Sequence, residues 1–273
     1  MDGQTRGGGQ PPPHADAGAS VRGRHVPPPL SPGGGRSTPP GAATSDPPFS
    51  LPQASWRWTG AAAGLAVGWG PQLLLSLAAG LGGSRTRTDV TVFSATLLVT
   101  SAAVFYGWQT FAAWLFSLRT AGRSLALWGL RRPDRSFVWV VPAGLGAVYA
   151  LTVVHGLLVH PEQQPIIREF PHTGVGLVLF VLLAVVMAPL FEEVVFRGFL
   201  FRGLANSWGW MAGALVSAVV FGCAHLQFEV FVPLAGLGFV LAWAYRRTGS
   251  LWTSIVMHAL FNAVAVTTWA LSG

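Results

Sequence analysis

The chain has 273 residues, of which 51% are apolar and only 10% charged, against about 25% charged in an ordinary soluble domain. All 17 basic residues are Arg, they outnumber ten acids, and the formal net charge is +7. That is too little charge to cover a soluble globule. The single cysteine, Cys223, excludes a disulfide framework, a four-cysteine zinc site and an iron–sulfur cluster. Arg residues set between long apolar runs, not gathered on one face, argue against a nucleic-acid partner and for a polytopic membrane protein.

Residues 1–53 hold 12 of the 20 Pro and 10 of the 34 Gly. Such a stretch cannot bury enough apolar surface to offset chain entropy, so residues 1–55 read as a disordered tail with polyproline character. From Trp56 onward the pattern changes. A bilayer core of about 30 Å needs roughly 20 apolar residues per helix, and seven runs qualify, near 58–82, 90–118, 136–159, 174–200, 209–226, 230–246 and 250–271. The expected fold is all-α, a membrane bundle of about seven transmembrane helices. Gly60, Gly64 and Gly68 recur every fourth residue and give the first helix a smooth ridge for close packing within the chain. Pro71, Pro142, Pro189 and Pro233 fall inside spans and should bend them.

Arg residues in the connections orient the bundle. Segment 119–135 holds five, 197–208 two and 246–249 two, against Arg85, Arg87 and Arg168 in the alternate set. Nine against three places the N-terminus in the cytoplasm and the C-terminus on the far side of the cell membrane. Ala121 to Leu130 is too short to span and reads as an amphipathic helix on the cytoplasmic face.

The chemistry lies in what breaks the apolar pattern, since a charged group at bilayer depth is costly unless paired or hydrated. The fourth span contains Glu192-Glu193-x-x-x-Arg197. Glu193 and Arg197, four apart, share a face and can form an ion pair. Glu192 lies about 100° around the helix, away from that cation, as suits a general base. The fifth span carries Phe221-x-x-x-His225, and the seventh His258-x-x-x-Asn262, again on one face. Two chemistries fit. In one, Glu192 takes a proton from a water that His225 helps to hold, while His258 and Asn262 donate to an oxyanion. In the other, His225, His258 and a carboxylate hold a zinc ion that polarises its water. No His-Glu-x-x-His run is present, and Asn262 would be a poor ligand.

These three motifs, in this order on successive apolar helices, resemble the CPBP family, which comprises type II CAAX prenyl proteases and bacteriocin-processing or bacteriocin-immunity proteins of the lysostaphin-resistance-A-like kind. The resemblance runs over about residues 120–273, including the Leu130-Arg-Arg-Pro133 step. It divides the chain into the tail, two N-terminal helices over 56–118 and a core over 119–273. It implies an intramembrane endopeptidase acting on a peptide or protein substrate in contact with membrane lipid. Glu192 and His225 would activate water and His258 and Asn262 would form the oxyanion hole. Glu193, Arg197 and Phe221 would support them, and the metal and metal-free routes both stay open. The alternative is a non-catalytic immunity or scaffold protein that binds a partner in the same cavity. The sequence leaves oligomeric state open.

Overall fold

A computed structural model describes residues 54–81, 92–118, 124–159 and 174–271. The chain is all-α, with no strand among the described residues. Seven principal helices follow in order among the described residues: α1 Trp58–Leu81, α2 Val92–Phe116, α3 Phe137–Val159, α4 Gly174–Trp208, α5 Trp210–Ala224, α6 Phe231–Thr248 and α7 Leu251–Leu271. Four of them, α3, α4, α7 and the run Phe228–Thr248 that contains α6, are long and apolar enough to cross a membrane. The expected tail lies outside the described residues except for Ala54 and Ser55, and Ala54 already belongs to the bundle. Its carbonyl and that of Trp56 both accept hydrogen bonds from Asn206 Nδ2 at 3.0 Å.

The fifth expected span is shorter than its apolar run. α5 has 15 residues, about 22 Å at 1.5 Å per residue, and so falls short of a 30 Å hydrocarbon core. It begins at Gly209, whose φ of 81° and ψ of 161° are essentially closed to residues with a Cβ. It ends at His225, followed by Leu226 in the left-handed region at φ 54°. α5 packs along α6, and the chain turns back at its His225 end into α6.

Helix α4 is one element of 35 residues. Its turns widen to π geometry over Leu182–Met187 and Val194–Phe201. Pro189 lacks an N–H and crowds the carbonyl four residues back, and the wider turn just before it accommodates that demand. Continuity of α4 corrects the charge map. Arg197 and Arg202 are not in a connection; they are 0% and 3% exposed within the bundle. Arg202 donates to the Leu127 carbonyl and to Tyr245 Oη. Without these two the count stands at seven to three, with Arg246 and Arg247 in the last turn of α6 and the other five between α2 and α3, still biased the same way.

The surface helix expected over 121–130 is also different where it is described. Leu125–Trp128 is a single 3₁₀ turn, with residues 121–123 outside the described set. Trp128 is buried, not laid on a lipid surface. Its indole donates to Ser117 Oγ at 3.0 Å, and its carbonyl accepts from Tyr245 Oη at 2.9 Å. The buried polar partners reward turning this tryptophan inward.

The glycine ridge of α1 packs within the chain, as expected. A Cβ at Gly64 would meet Phe199 Cζ at 2.5 Å, and one at Gly68 would meet Ala112 Cβ at 3.6 Å. α1 and α2 therefore lie against each other and against α4, closing one side of the site.

Candidate active site

Arg197 organises the interior. It is fully buried, and its Nη1 donates to Glu193 Oε1 at 2.7 Å, the i, i+4 pair expected from the sequence. Its Nη2 donates to the Gly238 carbonyl of α6 at 3.0 Å. The guanidinium also sits 4.4 Å from the centroid of Phe221, a cation–π contact that helps to hold a charge out of water. Glu193 Oε1 accepts a second hydrogen bond from His258 Nδ1 at 3.0 Å. One buried carboxylate thus ties α4 to α7, and its arginine ties α4 to α6. Truncating one partner of such a network leaves an uncompensated charge at a cost of about 3–5 kcal/mol.

Phe221 is the hub around which the histidines stand. Its ring packs edge-on against His225 at 4.9 Å, His258 at 5.7 Å and Phe196 at 5.1 Å between centroids. Its carbonyl bonds His225 Nδ1 at 2.8 Å. A carbonyl can only accept, so Nδ1 carries the proton and, in the neutral ring, Nε2 is left as an acceptor.

Two cavities meet at the same three side chains. The larger, about 720 Å³, lies between α1, α2, α4 and α5 and reaches Tyr106, Glu192 and His225. The smaller, about 380 Å³, is also lined by Tyr106, Glu192 and His225, and adds His258 and Asn262. The four residues singled out as candidate catalytic groups thus line one cavity. Glu193, Arg197 and Phe221 lie behind that wall, among the buried residues.

Glu192 is not as solitary as its spacing from Arg197 suggested. Tyr106 Oη donates to Glu192 Oε1 at 3.0 Å. The Tyr106 ring stacks on Phe191, with centroids 5.5 Å apart and planes 5° from parallel. Tyr106 comes from α2, 86 positions away, and sequence reasoning missed it. Asn262 Nδ2 donates to the Ala184 carbonyl at 2.8 Å. Ala184 sits in the first π segment of α4. One Asn262 N–H is thereby committed and the second is available to the cavity.

The zinc alternative would need His225, His258 and a carboxylate around one ion. Among the described residues no three His, Cys, Asp or Glu side chains come together in a way that could hold a metal ion. His225 and His258 each engage Nδ1, with the Phe221 carbonyl and the Glu193 carboxylate, and keep Nε2 outside those bonds, as a metal-ligating histidine also does.

Residues 174–264 match the family model described as Type II CAAX prenyl endopeptidase Rce1-like. That stretch contains Glu192, His225, His258 and Asn262 and is narrower than the 120–273 over which the motifs suggested resemblance. The chain is 28% identical over 88 residues to the putative membrane peptidase YdiL of Bacillus subtilis, covering 32% of this chain and 36% of that protein. It is 30% identical over 126 residues to the membrane-embedded CAAX protease MroQ of Staphylococcus aureus, covering 42% of this chain and 48% of that protein. The chain thus spans less than half the length of each of these two relatives. No solved structure matches.

Proposed function

We propose that the chain is an intramembrane endopeptidase in which Glu192 is the general base. The observation that carries this reading is the convergence of Glu192, His225, His258 and Asn262 on one cavity, inside the stretch that matches a prenyl endopeptidase model. Hydrolysis in a membrane needs a base, a held water and donors for the developing oxyanion, all screened from lipid. With Oε1 held by Tyr106, Glu192 keeps Oε2 to take a proton from water. His225 Nε2, an acceptor, orients that water through its other hydrogen.

The hydroxide attacks the peptide carbonyl, and the tetrahedral oxyanion receives the free Asn262 N–H. His258 donates from Nε2 only as the imidazolium, because its Nδ1–H already faces Glu193. The proton on Glu192 then passes to the departing amine, the C–N bond breaks, and the carboxylate is restored. The bias of the arginines near the helix ends supports a cytoplasmic N-terminus.

The test is turnover of internally quenched apolar peptides by the full chain in liposomes. Glu192→Gln should lower kcat by about 10²–10⁴-fold, the usual worth of a general base, while unfolding at the wild-type temperature. His225→Ala should be similarly impaired. Wild-type turnover by Glu192→Gln would remove the base assignment. Loss of function that appears only when the cavity is reshaped would instead indicate a binding protein.

A further inference from the structure

Pro189 stands three residues before Glu192, and its effect crosses from α4 to α7. Over Leu182–Met187 the main-chain hydrogen bonds of α4 run five residues back, and Ala188 N–H donates to the Leu183 carbonyl. The next rung would join residue 189 to the Ala184 carbonyl. Proline has no N–H, so the wide ladder ends at Pro189, and α4 resumes regular turns from Ala188. The Ala184 carbonyl is thereby passed over twice. The N–H four residues on is spent on Leu183, and the residue five on has none.

A carbonyl inside an apolar bundle must find another donor. Asn262 of α7 supplies it, with Nδ2 2.8 Å from the Ala184 oxygen. An oxygen that can only accept also settles which end of the carboxamide faces it. The group is planar, so one N–H held on α4 fixes the direction of the other. Ala184 and Asn262 both line the smaller cavity beside Glu192, His225 and His258, where that second N–H has an oxyanion to meet. The other wide turn, Val194–Phe201, also lends carbonyls to distant side chains, Phe196 to Ser217 Oγ at 3.2 Å and Phe199 to Trp56 Nε1 at 2.9 Å. Ser217 and Trp56 line neither cavity. Of the three, only the Ala184 bond holds a group of the candidate site.

We propose that Pro189 is a positioning residue for hydrolysis: by withholding an N–H it leaves the Ala184 carbonyl to Asn262, and that bond aims the second Asn262 N–H at the oxyanion. An N–H at position 189 would end the arrangement in either register. With the wide turn kept, it would itself donate to Ala184; with a regular turn restored, Ala188 N–H would. The proposal rests on the endopeptidase reading for the oxyanion, but the bond between α4 and α7 does not depend on turnover.

The test is a double-mutant cycle between Pro189→Ala and Asn262→Leu in the full chain, read by thermal unfolding and by turnover of the quenched peptides in liposomes. Alone, Asn262→Leu strips Ala184 of its donor and should lower the unfolding temperature. In the Pro189→Ala background the carbonyl keeps a main-chain donor, and the same substitution should lower it markedly less. Pro189→Ala alone should lower kcat with KM unchanged. The loss should lie between about fivefold, the worth of one neutral hydrogen bond, and the about 10²–10³-fold worth of an oxyanion donor. Added to Asn262→Leu, it should cost nothing further. A proline that merely shapes α4 would cost the same kcat factor in both backgrounds. If Asn262→Leu does not fold, Asn262→Ala closes the same cycle. Equal temperature drops in the two backgrounds, multiplying kcat losses, or wild-type kcat in Pro189→Ala overturns the proposal. Absence of turnover by the wild type, with the thermal coupling intact, would instead sink the endopeptidase reading, and the catalytic role with it, and leave the bond between Asn262 and Ala184 standing.

Discussion

Tyr106 and Glu192 illustrate how a single oxygen can be directed. An ionised carboxylate offers two equivalent oxygens, and a hydroxyl bound to Oε1 leaves Oε2 for water. Hydrogen bonds to charged groups are worth about 1.5–3 kcal/mol. Tyr106→Phe, which keeps the ring stacked on Phe191, should therefore lower kcat by about tenfold or more with KM unchanged. Wild-type kcat in that variant would show that the hydroxyl does not position the base. Behind the cavity, Arg197→Met leaves Glu193 buried without its cation and should cost about 3–5 kcal/mol in thermal or denaturant unfolding. Combining it with Glu193→Gln should recover part of that loss. A double variant no more stable than the single one would contradict the pairing. Glu192, Glu193 and Arg197 were legible in the sequence because charge inside an apolar run has no solubility role. Tyr106 was not, because a tyrosine in a membrane helix is ordinary and its partner lies 86 positions on.

At the level of helices, the apolar runs located seven elements, with ends within a few residues over most of their length. Hydropathy could not show that α4 continues to Trp208 or that two of its stretches are π-helical, since a widened turn has the same composition as a regular one. It also placed Arg197 and Arg202 in a connection, because it weighs charge without knowing that a guanidinium can be buried and paired inside a bundle. The shortness of α5 has a consequence for chemistry. A full span would carry His225 toward the opposite surface from Glu192, whereas a 15-residue helix leaves both on the same two cavities. The seam of α1 against α4 is equally specific. Gly64→Leu would drive a side chain into Phe199, whose Cζ lies 2.5 Å from the position of the new Cβ. Overpacking of this kind costs about 1–3 kcal/mol. The substitution should lower the unfolding temperature and raise KM through distortion of the larger cavity. Wild-type stability in that variant would mean the two helices are not in close contact there.

For the molecule as a whole, the matched stretch 174–264 contains Glu192, His225, His258 and Asn262, but not the whole of the cavity wall around them. α1 and α2, outside that stretch, supply Tyr106 and much of the larger cavity's wall. The motifs made the chemical groups legible; the enclosure was not, because it depends on packing between helices far apart in sequence. The central claim is that this enclosed Glu192 drives peptide-bond hydrolysis. Its most direct measurement is a comparison of protein N- and C-termini in membranes of cells producing either the wild-type chain or Glu192→Gln at equal levels. Membranes with the wild type should show a discrete set of new termini that is absent with Glu192→Gln. Identical termini in the two membranes, with both proteins folded and inserted, would contradict it.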